Sequence, residues 1–189
     1  MNRLNAMVLA LMLMGLAAPA AGAGALEAGN AAMHKHDYAA AVEIFGPLAE
    51  TGNAVAQFNL GVLFDEGHGV PQNYLLALKW YTRAASQGLI EAQYLTSYYY
   101  RRGRGIQQDT VKAHMWINLA ASGGLPHADV ERLEQQREMT RARIATAQAL
   151  AVKWLASHPR PWACPKTWCP RPRWLPKDNW YSPFYWYGL

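Results

Sequence analysis

Apolar residues recur at helical spacing through most of this 189-residue chain. Between Ala54 and Asp65, the residues Ala56, Leu60, Leu63 and Phe64 stand at i, i+4, i+7 and i+8, a stripe one helix face wide. Gly67-His68-Gly69-Val70-Pro71 then predicts a tight turn, because two glycines accept positive φ and Pro71 cannot continue a helix. A second helix follows from about Tyr74 to Gln87, with Ala77, Trp80, Tyr81 and Ala84 inward and Asn73 placed to accept from its first free amides. The whole pattern is written twice with a period of 36 residues. Ala56 returns as Ala92, Gly67 as Gly103 and Gly69 as Gly105; Ala77 returns as Ala113, Trp80 as Trp116 and Ala84 as Ala120. A fixed period of this length is the mark of stacked helical units that bury their faces only against neighbours. The expected fold is therefore all-α, an α-solenoid of antiparallel helix pairs.

The flanks fit that plan. From Leu26 to Gly52, Ala28, Ala31 and Ala32 predict one helix face, the His34-Lys35-His36-Asp37-Tyr38 segment a turn, and Ala41, Phe45, Leu48 and Ala49 a second helix. Two histidines beside Asp37 invite a metal reading, but no third ligand stands at helical spacing, so a solvated turn is expected. After Gly124, Pro126 is placed to start a helix to about Glu138, and Thr140 to cap another over Arg141 to Ala156 with Ile144, Ala147, Leu150, Ala151 and Trp154 on one face. The charges of this last pair (Arg132, Glu134, Arg137, Glu138, Arg141, Arg143) are expected on a solvated outer side.

The two blocks resemble the Sel1-like repeats, relatives of the tetratricopeptide repeats. Ala56, Leu60, Gly61, Gly67, Gly69, Val70, Ala77, Trp80, Tyr81, Ala84, Ala85 and Gly88 match the family pattern. The second copy departs from it at Thr96 and Ser97, where Leu-Gly is expected. It recovers through Tyr100, Gly103, Gly105, Asp109, Lys112, Ala113, Trp116, Ala120 and Ala121. The resemblance implies a solenoid with a cap pair at 26–53, repeats at 54–89 and 90–125, and capping helices at 126–157. It also implies a binding or scaffolding role, with the first helix of each unit lining a concave surface. Tyr98, Tyr99, Arg101, Arg102 and Arg104 stand on or beside that surface, and aromatic residues with Arg are the types enriched at interface hot spots. A protein or peptide partner is expected there.

Composition changes the picture only at the ends. Arg3, the apolar run Ala6 to Ala18 and the small residues Ala21-Gly22-Ala23 read as a secretory signal over 1–23, so the chain is expected to be exported, to the periplasm in a Gram-negative source. No later stretch is apolar enough to cross a bilayer. The formal charge is +5, and from Lys153 onward six basic residues face Asp178 alone. The basic excess thus lies at the C-terminal end, and a general nucleic-acid surface is not expected.

Residues 158–189 hold seven of the eleven prolines and five of the eight tryptophans. Those five, Trp162, Trp168, Trp174, Trp180 and Trp186, fall six residues apart. In polyproline II they would share one stripe, about 19 Å apart. Two readings stand: the tail lies back on the solenoid, the favoured one, or it engages a partner or a membrane interface, with Trp180 and Trp186 as contacts. On the favoured reading Trp162 and Trp168 dock, and the part beyond Trp174 seeks partners. Cys164 and Cys169, alone in an exported chain, read as a disulfide.

Motifs for hydrolysis, metal or nucleotide chemistry are missing: there is no Gly-x-Ser-x-Gly, Ser-x-x-Lys or His-Glu-x-x-His. No cofactor is implied. The leading expectation is a non-catalytic cell-envelope adaptor. The alternative is an envelope enzyme or its accessory acting on peptidoglycan, motivated by location and by tryptophans able to stack on sugars.

Overall fold

The computed structural model describes residues 18–158, with side chains from residue 24. Cys164, Cys169 and the five tail tryptophans, including Trp180 and Trp186, lie outside the described residues, as does most of the segment read as a signal. Among the described residues there are eight helices and no strands. They are α1 (Ala18–His34), α2 (Tyr38–Glu50), α3 (Ala54–Glu66), α4 (Tyr74–Ser86), α5 (Ile90–Arg102), α6 (Thr110–Ser122), α7 (Ala128–Arg137) and α8 (Arg141–Ser157). Each packs on the next from α1 through α7, while α8 also packs on α6, so both helices of the last pair lean on the same neighbour. The fold is an all-α solenoid.

The caps are those the sequence offers. Asn53, Asn73 and Asp109 accept backbone amides of α3, α4 and α6, and Asp37 and Thr140 do so for α2 and α8. The 36-residue period reappears as bonds. Gln57 donates to the Ala49 carbonyl at 2.9 Å and Gln93 to that of Ala85 at 3.3 Å, tying each first helix to the end of the preceding one. Gln72 and Gln108 donate to the Asp65 and Arg101 carbonyls at 2.7 and 2.8 Å, satisfying acceptors left open where α3 and α5 stop.

The turns also carry contacts between units. Gly69 (φ +71°) lies so close to α2 that a Cβ there would come within 2.6 Å of the Tyr38 carbonyl. A period later Gly105 (φ +72°) meets Tyr74 at 2.8 Å. Beside them, His68 stacks on Tyr38 with ring centroids 4.3 Å apart, and the Arg104 guanidinium lies 4.2 Å from the Tyr74 ring. Each turn therefore seats on the first residue of the previous unit's second helix.

The repeat core is buried as expected: Ala56, Leu60, Ala77, Trp80, Ala84, Ala92, Ala113, Trp116 and Ala120. Helix α3 is covered on more than the expected stripe, since Gln57, Phe58, Asn59 and Gly61 are also buried between flanking helices. The Thr96-Ser97 departure has a steric counterpart. A Cβ on Gly61 would meet the Tyr81 ring at 2.7 Å, whereas the residue one period after Tyr81 is Ile117, and Ser97 there donates its hydroxyl to the Ala113 carbonyl at 2.7 Å.

Four expectations need correction. In α1 the inward line is Gly29 and Ala32, not Ala28 and Ala31, which are exposed; Gly29 lies under the Phe45 ring, where any Cβ would be 2.5 Å away. Helix α1 begins at Ala18, upstream of Leu26. Helix α7 starts at Ala128 rather than Pro126, because His127 takes a left-handed conformation (φ 65°) at its cap. In α8, Ala147 and Ala151 are buried and Ile144 and Trp154 half-buried, but Leu150 falls off the inner face.

Candidate functional site

The first helices of the two repeats present equivalent residues to one face. Val62 on α3 and Leu95 and Tyr98 on α5 are half-buried and rest on the same core cluster. Tyr98 is the periodic counterpart of Val62, and Arg102 that of Glu66; both of these charged residues are exposed. The Arg102 guanidinium lies 5.9 Å from the Tyr98 ring centroid. A half-covered aromatic ring with a cation above it and aliphatic groups beside it suits contact with another polypeptide.

The other residues expected on this face are turned inward. Tyr99 is fully buried and cannot meet a partner from there. Its ring lies edge-on to Tyr81 at 5.6 Å and to Tyr74 at 6.5 Å, and burial, reinforced by the Asp65 carboxylate, holds its phenol protonated. Arg104 pairs with Asp65 at 3.2 Å, joining the second unit to the first. Arg101 pairs with Glu131 and reaches Glu138 at 3.9 Å, joining the second unit to α7. These two arginines are ties within the stack. Of the expected group only Tyr98 and Arg102 remain on the open face.

Sequence reasoning missed a polar seam between α5, α6 and α7. Ser97 accepts from the Gln135 amide at 3.1 Å while donating to Ala113, and Gln136 approaches the His114 Nε2 at 3.4 Å. His114 is fully buried and its Nδ1 has no hydrogen-bond partner. Burial lowers its pKa, and the nearby Arg132 adds to that. The available signal was the pair Arg101 and Glu131 together with polar Thr96 and Ser97 at core positions.

A buried neutral imidazole binds its proton less well folded than unfolded, so the unfolded chain gains it first as pH falls. Stability present above the ordinary histidine pKa of about 6.5 should therefore fall below that pH, with a slope of at most about 1.4 kcal/mol per unit from this one group. Urea midpoints measured from pH 7.5 to 5 should show the fall, and His114→Gln should flatten it. A slope identical in the variant would count against His114.

His36 Nδ1 lies 2.7 Å from the Tyr38 hydroxyl, and Glu66 pairs with His68 at 3.2 Å. Among the described residues no three His, Cys, Asp or Glu side chains come together as metal ligands. A depression of about 330 Å³ lies beside Tyr100, Ile106, Gln107, Gln108 and Asp109, where Lys112 spans Asp109 (3.4 Å) and the Tyr100 ring (5.2 Å).

Residues 54–89 and 90–125 each match the Sel1 repeat family. The chain carries two Sel1 repeats. Among solved structures, a protective antigen of uropathogenic Escherichia coli displaying an SLR fold is similar at 27% identity and TM-score 0.68, over 72% of this chain and 30% of that one. A Sel1 repeat protein from Oxalobacter formigenes shares the fold at 24% identity and TM-score 0.57, over 71% of this chain and 57% of that one. The chain thus spans well under two thirds of either structure. No curated protein matches it. Sel1 repeat proteins are generally protein-interaction scaffolds.

Proposed function

We propose that this chain is a non-catalytic adaptor of the bacterial cell envelope that holds a protein or peptide against the face built by α3 and α5. The observation that carries the reading is the Tyr98–Arg102 pair, with Tyr98 resting on the same core cluster as half-buried Val62 and Leu95: a mixed aromatic, cationic and aliphatic surface. Its residues are held by repeat packing, so the face is preorganised and little ordering opposes binding. Export follows the N-terminal sequence pattern, and among the described residues no helix is long and apolar enough to cross a membrane.

Arg102→Glu tests the reading because Arg102 is exposed and outside the core. Proteins cross-linked to the wild-type chain in an envelope fraction should be recovered at least about tenfold less with the variant, the loss expected of one hot-spot side chain. The melting temperature should stay nearly unchanged. Equal recovery of the same proteins by both chains would overturn the assignment of this face.

A further inference from the structure

Helix α7 buries polar side chains beside Ala128 and leaves two large aliphatic residues in solvent, unlike an ordinary surface helix. Gln135 is buried, and Glu131 and Gln136 engage Arg101 and His114. Val130 and Leu133, in contrast, are 56% and 50% exposed. They stand three apart, with Asp129 four residues before Leu133 and Glu134 four after Val130, so the four side chains share one side of the helix. Asp129 is 72% exposed although it holds Arg132 at 3.1 Å, and Glu134 is exposed. The outer surface of α7 thus carries two aliphatic side chains with Asp129 and Glu134 at its edges and the exposed Arg137 on the same side.

Helices α7 and α8 both pack on α6, and α8 ends at His158, whose ring stacks on Trp154 at 4.3 Å. The sequence beyond supplies rings that suit the aliphatic pair and cations that suit the two carboxylates. Residues 159–189 carry five tryptophans, and Arg160, Lys166, Arg171, Arg173 and Lys177 against Asp178 alone. Reach is no obstacle: a proline-rich segment spans about 3.1 Å per residue, against about 15 Å for a helix of ten residues at 1.5 Å each.

We propose that the segment from Trp162 to Lys177 binds in cis on the outer side of α7, with tryptophan rings over Val130 and Leu133 and basic side chains on Asp129 and Glu134. Indoles covering aliphatic groups supply the attraction, and the charges set which side of the helix is chosen. The inference stands apart from the Tyr98–Arg102 face and does not depend on it.

Zero-length carbodiimide coupling of the full chain tests this, using an equal mixture of unlabelled and nitrogen-15-labelled protein read by mass spectrometry. Lys166 or Lys177 should couple to Asp129 or Glu134 within single chains. The double substitution Val130→Gln and Leu133→Gln should lower that yield at least fivefold. The neighbouring Lys112–Asp109 product, whose partners lie 3.4 Å apart, should form equally in both proteins and so reports intact folding. Coupling of the tail lysines to other carboxylates, products joining light and heavy chains, a yield insensitive to the substitutions, or no tail product alongside normal Lys112–Asp109 coupling would each overturn the proposal.

Discussion

Replacing Trp80 with alanine should cost about 3–5 kcal/mol, the range for deleting a large aromatic from a core. Trp80 is 6% exposed and grouped with Ala41, Phe45 and Ala49 of α2 and Ala56, Leu60 and Leu63 of α3, so it binds the N-terminal pair to the first repeat. The Arg83 guanidinium lies 4.6 Å from its ring and would lose that contact too. Because a solenoid is stabilised by neighbour-to-neighbour interfaces, the damage should begin locally. Hydrogen exchange should show α1 and α2 losing protection first, and the urea midpoint should fall. A loss under about 1 kcal/mol would mean that the surrounding helices close over the space, contrary to the large-to-small rule.

Gly69→Ala should follow at about 3 kcal/mol. Its φ of +71° penalises any Cβ by about 1–2 kcal/mol, and the added carbon would meet the Tyr38 carbonyl at 2.6 Å, a clash with backbone that no rotamer relieves. Gly124→Ala separates the two contributions, because φ there is +85° yet nothing lies within 4 Å of the added carbon. It should lose only the conformational part. Equal losses in the two variants, measured by urea unfolding, would show that the seating of the turn on Tyr38 adds nothing.

What the sequence made legible was periodic, and what it hid was the direction of individual side chains within the period. Repeat glycines, alanines and tryptophans occupy equivalent environments, so one copy predicts the other. The run Tyr98-Tyr99-Tyr100-Arg101-Arg102 reads as one surface cluster only while the period is ignored. Placed on the first repeat, Tyr99 takes the position of buried Leu63 and Arg101 that of Asp65, whereas Tyr98 and Arg102 fall on Val62 and Glu66 at the open side. The inward polar side chains of α7 escaped for another reason. Charged residues are ordinarily solvated, and only the complementary positions Arg101 and Ser97 on α5 make an inward Glu131 and Gln135 favourable.

The pairing of Asp65 with Arg104, and of Arg101 with Glu131 and Glu138, bears on how such an array can lengthen. Solenoids grow by tandem duplication, which requires each unit to accept a copy of itself. A duplicate of residues 54–89 would offer the Asp65 carboxylate to a histidine in the copied turn, a tolerable neighbour. A duplicate of residues 90–125 would set Arg101 against the copied Arg104, two half-buried guanidinium groups with no anion between them. A copy of the second unit placed directly after itself is therefore electrostatically disfavoured, whereas a copy of the first is not.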